Sequence, residues 1–241
     1  MQHAGRSGGK RKRQESEKGL NRAPAMNVLN FREPLLLLLL FSFFGSPARA
    51  QETPRRRVNL EHGLSLEVPA QWSVQPPEMR KDLDATIEAL TEKAKIEPPR
   101  RKKEELLVAN STPAPAGAMI RLNVSSPTRF SQADLAATGP EGLSGLRSEL
   151  FVTFKKLEAA GGPKVRDVQI PRIERINDHL AVCIVYLRAG APGMPPWEVT
   201  QYKIPVTGRL IELTLSHRQT EAKWKPVLEQ VKRSLRLRSE R

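Results

Sequence analysis

The spacing of apolar residues along the second half of the opening hundred residues sets out the first elements. Leu64-Ser65-Leu66-Glu67-Val68 alternates apolar and polar positions, the pattern of a half-buried strand. Pro69-Ala70-Gln71 makes a turn, and Trp72-Ser73-Val74 resumes the alternation. Met79, Leu83, Ile87, Leu90 and Ala94 then recur at spacings of three and four, which predicts a helix from Glu78 to Lys95, stopped by Pro98-Pro99. Leu106 to Ala109 reads as a short strand, and Ile120, Leu122 and Val124 as a clear one.

Ser131-Gln132-Ala133-Asp134 has the form of a capping box and opens a helix that Gly139-Pro140 interrupts. Leu143, Leu146, Leu150, Phe154 and Leu157 mark a longer amphipathic helix closed by Gly161-Gly162. Beyond it, Val165 to Ile176 and His179 to Leu187 flank Asn177-Asp178, a two-residue turn. The unbroken apolar run Leu180 to Leu187 predicts a central strand covered on both faces. Glu198 to Val206 and Leu210 to Leu215 are joined by a turn at Thr207-Gly208. Trp224, Val227, Leu228, Val231 and Leu235 draw the stripe of a C-terminal helix. Adjacent strands joined by tight turns, with helices between the runs, predict an α+β fold: one antiparallel β-sheet flanked by helices, in a single domain over 58–238.

The pattern ahead of this domain is different. Leu35 to Phe44 holds ten residues, all apolar except Ser42. A membrane span needs about 20, whereas the apolar middle of a secretory signal runs to about 7–15. Gly45 and Pro47 break the run, and Ala48 and Ala50 supply the small side chains that signal peptidase requires at the third-last and last positions. Residues 26–50 are therefore expected to be a signal peptide with translation starting at Met26, and 1–25 an upstream extension or a disordered segment. Lys10-Arg11-Lys12-Arg13 in that extension has the form of a nuclear-localisation or nucleic-acid patch, an address at odds with export. Cleavage leaves a mature chain beginning at Gln51, with no cysteine there to carry a lipid anchor, no transmembrane span, and a periplasmic or secreted location.

Export changes the charge. The full chain carries 40 Lys and Arg against 26 Asp and Glu, a formal +14. Residues 1–50 account for nine and three of these, so the mature chain keeps 31 and 23, a formal +8. Such a balance permits attraction to anionic surfaces and is equally an ordinary means of solubility. Its basic clusters are an expected tether over 51–57, ending in Arg55-Arg56-Arg57, and an expected exposed loop, Arg100-Arg101-Lys102-Lys103, which offers an anion-binding site. The sequence around that loop has no aromatic residue for base stacking, so no nucleic-acid partner is expected.

Candidate chemistry is sparse. Cys183, the single cysteine, lies in an apolar run and is expected to be a buried hydrophobe. His62, His179 and His217 show no close ligand spacing and are expected at the surface, with no metal site. Neither a nucleophile elbow nor a phosphate-binding loop is present, so no catalytic residue and no cofactor is expected.

Gly63-Leu64-Ser65-Leu66-Glu67-Val68-Pro69-Ala70-Gln71-Trp72 resembles the opening of the PsbP-like domains, which include the bacterial DcrB-like proteins: a strand, a proline, then a tryptophan. The close of the chain is similar too, where a terminal helix runs into Ser234-Leu235-Arg236-Leu237. The resemblance covers roughly 58–238 and implies an α/β/α sandwich around an antiparallel sheet, with the proline turning the strand and the tryptophan plugging the core. It implies accessory or binding work and no active site. The leading expectation is thus a non-enzymatic exported domain binding an envelope protein. The alternatives are a binder of anionic envelope components through the basic clusters, and an exported enzyme whose site assembles from distant residues such as Glu61, His62, Asp178 and His179.

Overall fold

The computed structural model describes residues 53–78, 89, 91–95 and 102–237. The signal segment with Ala48 and Ala50, most of the helix expected over Glu78 to Lys95, and Arg100 and Arg101 lie outside the described residues. Within them the fold is α+β, built on antiparallel sheets with helices against both faces of the larger one.

Among the described residues eleven strands follow in chain order: β1 (Arg55–Asn59), β2 (Leu64–Pro69), β3 (Ser73–Val74), β4 (Lys102–Asn110), β5 (Ala118–Ser126), β6 (Val165–Arg166), β7 (Arg172–Ile176), β8 (His179–Arg188), β9 (Trp197–Val206), β10 (Arg209–Arg218) and β11 (Arg236–Leu237). The helices whose full span lies among the described residues are α1 (Gln132–Ala137), α2 (Pro140–Ala159) and α3 (Trp224–Ser234). The main sheet runs β3-β4-β5-β10-β9-β8-β6, with β7 also paired to β8, and a small sheet runs β1-β2-β11. Every pairing is antiparallel.

Strand β8 explains the layering. Ala181, Cys183 and Val185 point into the larger core, shared with the small sheet and α3. Val182 and Ile184 point the other way, where Leu135 of α1 and Leu146 and Leu150 of α2 cover them. A strand buried on both faces has no polar side to show, which is why its sequence is apolar without interruption. Both expected turns form. Ile176 pairs with His179 across Asn177-Asp178, and Val206 with Arg209 across Thr207-Gly208, Asn177 and Gly208 having φ of 51° and 69°. The Ser131 capping box is also complete, with side-chain and backbone bonds exchanged between Ser131 and Asp134.

The first and last elements of the described domain meet. Trp72 is 2% exposed and packs edge-on against Trp224 of α3, ring centroids 5.4 Å apart and planes at 81°. At the C-terminus of α3 the Ser234 hydroxyl accepts a hydrogen bond from the Glu67 amide at 2.8 Å and donates to the Val231 carbonyl at 2.7 Å. Leu237 then pairs with Leu64, making Arg236–Leu237 a third strand on the small sheet.

Several boundaries depart from expectation. The tether expected over 51–57 gives way at Arg55 to strand β1. Its arginines are engaged: Arg57 meets Glu67 at 2.8 Å and Arg56 donates to the Trp72 carbonyl at 3.1 Å. An edge strand that opens on three successive arginines shows no apolar alternation there, yet is an ordinary edge. The expected basic loop likewise ends in a strand, because Lys102 and Lys103 open β4. Its first half is charged because it faces charge: Arg121 Nε donates to Glu105 at 2.8 Å, and Lys103 lies 3.8 Å from Glu212. The stretch 165–176 is two short strands rather than one, with Asp167 at φ 50° between them. His217 lies inside β10 and is buried, not at the surface, its Nδ1 donating to the Arg218 carbonyl at 2.8 Å.

Candidate functional site

Four connections converge at one end of the main sheet: the β1–β2 turn, the β7–β8 turn, the β9–β10 turn, and the link from β5 into α1. Between them opens a cavity of about 670 Å³. Leu64, Val124, Val206, Ile211 and Leu237 supply apolar wall, while His62, His179, Thr128 and Gln132 supply polar groups. That size and balance match small-molecule sites, which are mostly apolar with a few placed polar groups.

Pro205 and Gln132 shape one wall. Register places Pro205 of β9 opposite Leu180 of β8, but the β8–β9 pairing stops at Val182 and Lys203. Proline has no amide hydrogen to give a ladder. The Gln132 carboxamide fills the interval: it donates to the carbonyls of Leu180 at 3.0 Å and Pro205 at 2.7 Å, and accepts from the Leu180 amide at 2.7 Å. One side chain from α1 thus replaces a rung of the sheet where the cavity wall lies.

A cluster of ligand-type atoms sits on the rim. The β1–β2 turn is tight, with the Leu60 amide bonded to the Leu64 carbonyl at 2.8 Å, and His62 and Gly63 are both left-handed at φ 58° and 68°. This turn sets Glu61 and His62 beside the charged start of β4. His62 Nε2 lies 3.1 Å from Glu104 Oε2, and one donor atom from each of Glu61, His62 and Glu104 falls within 4.8 Å of the others. The hydrogen bond with His62 holds the Glu104 carboxyl below its ordinary value; partial burial opposes this and the Glu61 side chain adds to it. Among the described residues this is the group with metal-ligating spacing. His62 is therefore not the isolated surface histidine expected from spacing. Its partner Glu104 stands 42 residues away, beyond any local motif.

Of the residues raised for a distant-residue active site, His62 and His179 share the cavity wall. Asp178 occupies the exposed β7–β8 turn. Cys183 is fully buried as expected, and burial, with Glu174 nearby, pushes its thiol up to about 11. Burial likewise raises the Tyr202 hydroxyl above its ordinary value. The basic residues Lys102 and Lys103 are exposed on β4, apart from the cavity wall.

No protein-family model and no curated protein matches the chain. Among solved structures it is similar to the cyanobacterial PsbP (CyanoP) of Synechocystis sp. PCC 6803, at 11% identity and a TM-score of 0.48, covering 81% of this chain and 99% of that one. It is also similar to LpqN of Mycobacterium tuberculosis, described as involved in cell envelope biogenesis, at 13% identity and a TM-score of 0.42, covering 76% and 89%. A third is the Saccharomyces cerevisiae Ran-binding protein Mog1p, at 10% identity and a TM-score of 0.38, covering 77% and 96%. No helix among the described residues is long and apolar enough to cross a membrane.

Proposed function

We propose that the chain is an exported accessory domain that holds a ligand without transforming it, and that the cavity between the four converging connections is where it does so. The observation that carries this reading is the cavity itself, about 670 Å³ of space walled by the turns and by Gln132. Its lining favours an amphipathic molecule, with apolar surface against Val124 and Ile211 and a polar group toward Thr128 or His179. The state of the chain's single thiol argues against thiol catalysis. The Cys183 thiol is buried with its ionisation suppressed, and a thiol attacks as the thiolate. Export rests on the Leu35 to Ala50 pattern, and predicts Gln51 as the first residue of the secreted product.

Titration with 1-anilinonaphthalene-8-sulfonate, which joins aromatic rings to one anionic group, tests the cavity. One molecule should bind per domain with enhanced fluorescence. Ala133→Trp, which fills the lined space from α1, should abolish the enhancement while leaving the circular dichroism spectrum unchanged. No binding to the native domain, or equal binding to a folded Ala133→Trp, overturns the reading.

A further inference from the structure

We propose that Glu61, His62 and Glu104 form a binding site for a divalent transition-metal ion on the rim of the cavity. The three donors come from two separate parts of the chain, the β1–β2 turn and the start of β4, and converge within 4.8 Å. A tetrahedral site with metal–ligand bonds of about 2.0–2.2 Å holds its donors about 3.4 Å apart. The His62–Glu104 separation of 3.1 Å is already close to that value.

The donor types select the ion. One imidazole nitrogen with two carboxylate oxygens suits zinc, manganese or cobalt. It offers too few oxygens for calcium, which takes six to eight, and no sulfur for a soft ion. Charge points the same way, because a neutral imidazole leaves two carboxylates side by side. Lys102 and His62 both act on Glu104 by charge; with the imidazole neutral, as a metal ligand must be, Lys102 alone against two carboxylates leaves the donor set net negative. Three protein donors leave a coordination position for water or for a donor atom of a bound molecule. His62 belongs both to this set and to the cavity wall, so metal and cavity share an element. The metal site does not depend on the cavity being filled.

Isothermal titration of the chelator-treated secreted domain with zinc, repeated with manganese, tests the proposal. Zinc should bind at one site per chain and raise the melting temperature. His62→Gln and Glu104→Gln should each weaken binding by at least about tenfold, with metal-free melting temperatures near that of the native chain. Proton NMR of the histidine rings in the native chain guards against misfolded variants. On adding zinc, the His62 signals should shift while those of His179 and His217 hold still. Absence of zinc binding, undiminished binding in both variants, or shifts at His179 or His217 in place of His62 each overturn the proposal. None of these readouts involves the anilinonaphthalene probe, so this site and the cavity reading fail or stand separately.

Discussion

The side-chain carboxamide of Gln132 donates to the main-chain carbonyl of Pro205 at 2.7 Å, standing in for a strand partner that proline cannot be. The same carboxamide meets both the amide and the carbonyl of Leu180. Strands β8 and β9 therefore part at the cavity without leaving their backbone groups unpartnered.

Removing that side chain should cost accordingly. Gln132→Ala leaves three main-chain groups without their partner, and a lost partner at a buried group costs about 1–3 kcal/mol. Water from the cavity can reach this position, so the expected loss is about 1–3 kcal/mol in total. Urea unfolding followed by circular dichroism measures it. Gln132→Glu keeps the acceptor but sets a carboxylate against two carbonyls, and should be at least as unstable at neutral pH.

Ser234 ties α3 to β2 through the Glu67 amide, and both its bonds are internal. Ser234→Ala removes the acceptor and leaves the amide facing a methyl group. The expected loss is about 1–2 kcal/mol, read as a lower urea midpoint with an unchanged slope. A changed slope would mean that α3 had come away from the small sheet and exposed apolar surface.

Glu104 gives a pH dependence of known sign. Its carboxyl titrates below the ordinary value in the folded chain, chiefly because of His62, so the unfolded chain binds that proton more tightly. The stabilisation is present above the unfolded carboxylate range and is lost as pH falls through the folded value. Native chain and Glu104→Gln should differ most near neutral pH and converge toward pH 3. With the Glu104 side chain 40% exposed, solvent screening keeps the difference below about 1 kcal/mol, and added salt should shrink it.

Much of the fold could be read from the chain because its elements declare themselves locally. The alternation in Leu64–Val68, the unbroken run through β8, the Ser131 cap and the Asn177-Asp178 and Thr207-Gly208 turns each have a cause within a few residues. Strands β1 and the start of β4 escaped because Arg55–Arg57 and Lys102–Glu105 are charged at successive positions. Charge on an edge strand, or charge facing Arg121 and Glu212, removes the period-two signal without removing the strand. The site was harder to see. His62 meets Glu104 across 42 residues, and no spacing rule spans that distance. Two cues were nevertheless present. Pro205 inside an expected strand marks a broken ladder, and His62-Gly63 ahead of a strand marks a tight turn that throws side chains to one side.

The proposed function places ligand binding where the four connections meet. Amide chemical-shift mapping of the ¹⁵N-labelled domain, residues 51–241, titrated with 1-anilinonaphthalene-8-sulfonate, is the sharpest test. The largest shifts should fall on Thr128 to Ala133, on His179 and on Val206 to Arg209, the segments that wall the cavity. Shifts centred instead on the exposed Phe151 and Val152 of α2, with the cavity residues unmoved, would contradict it.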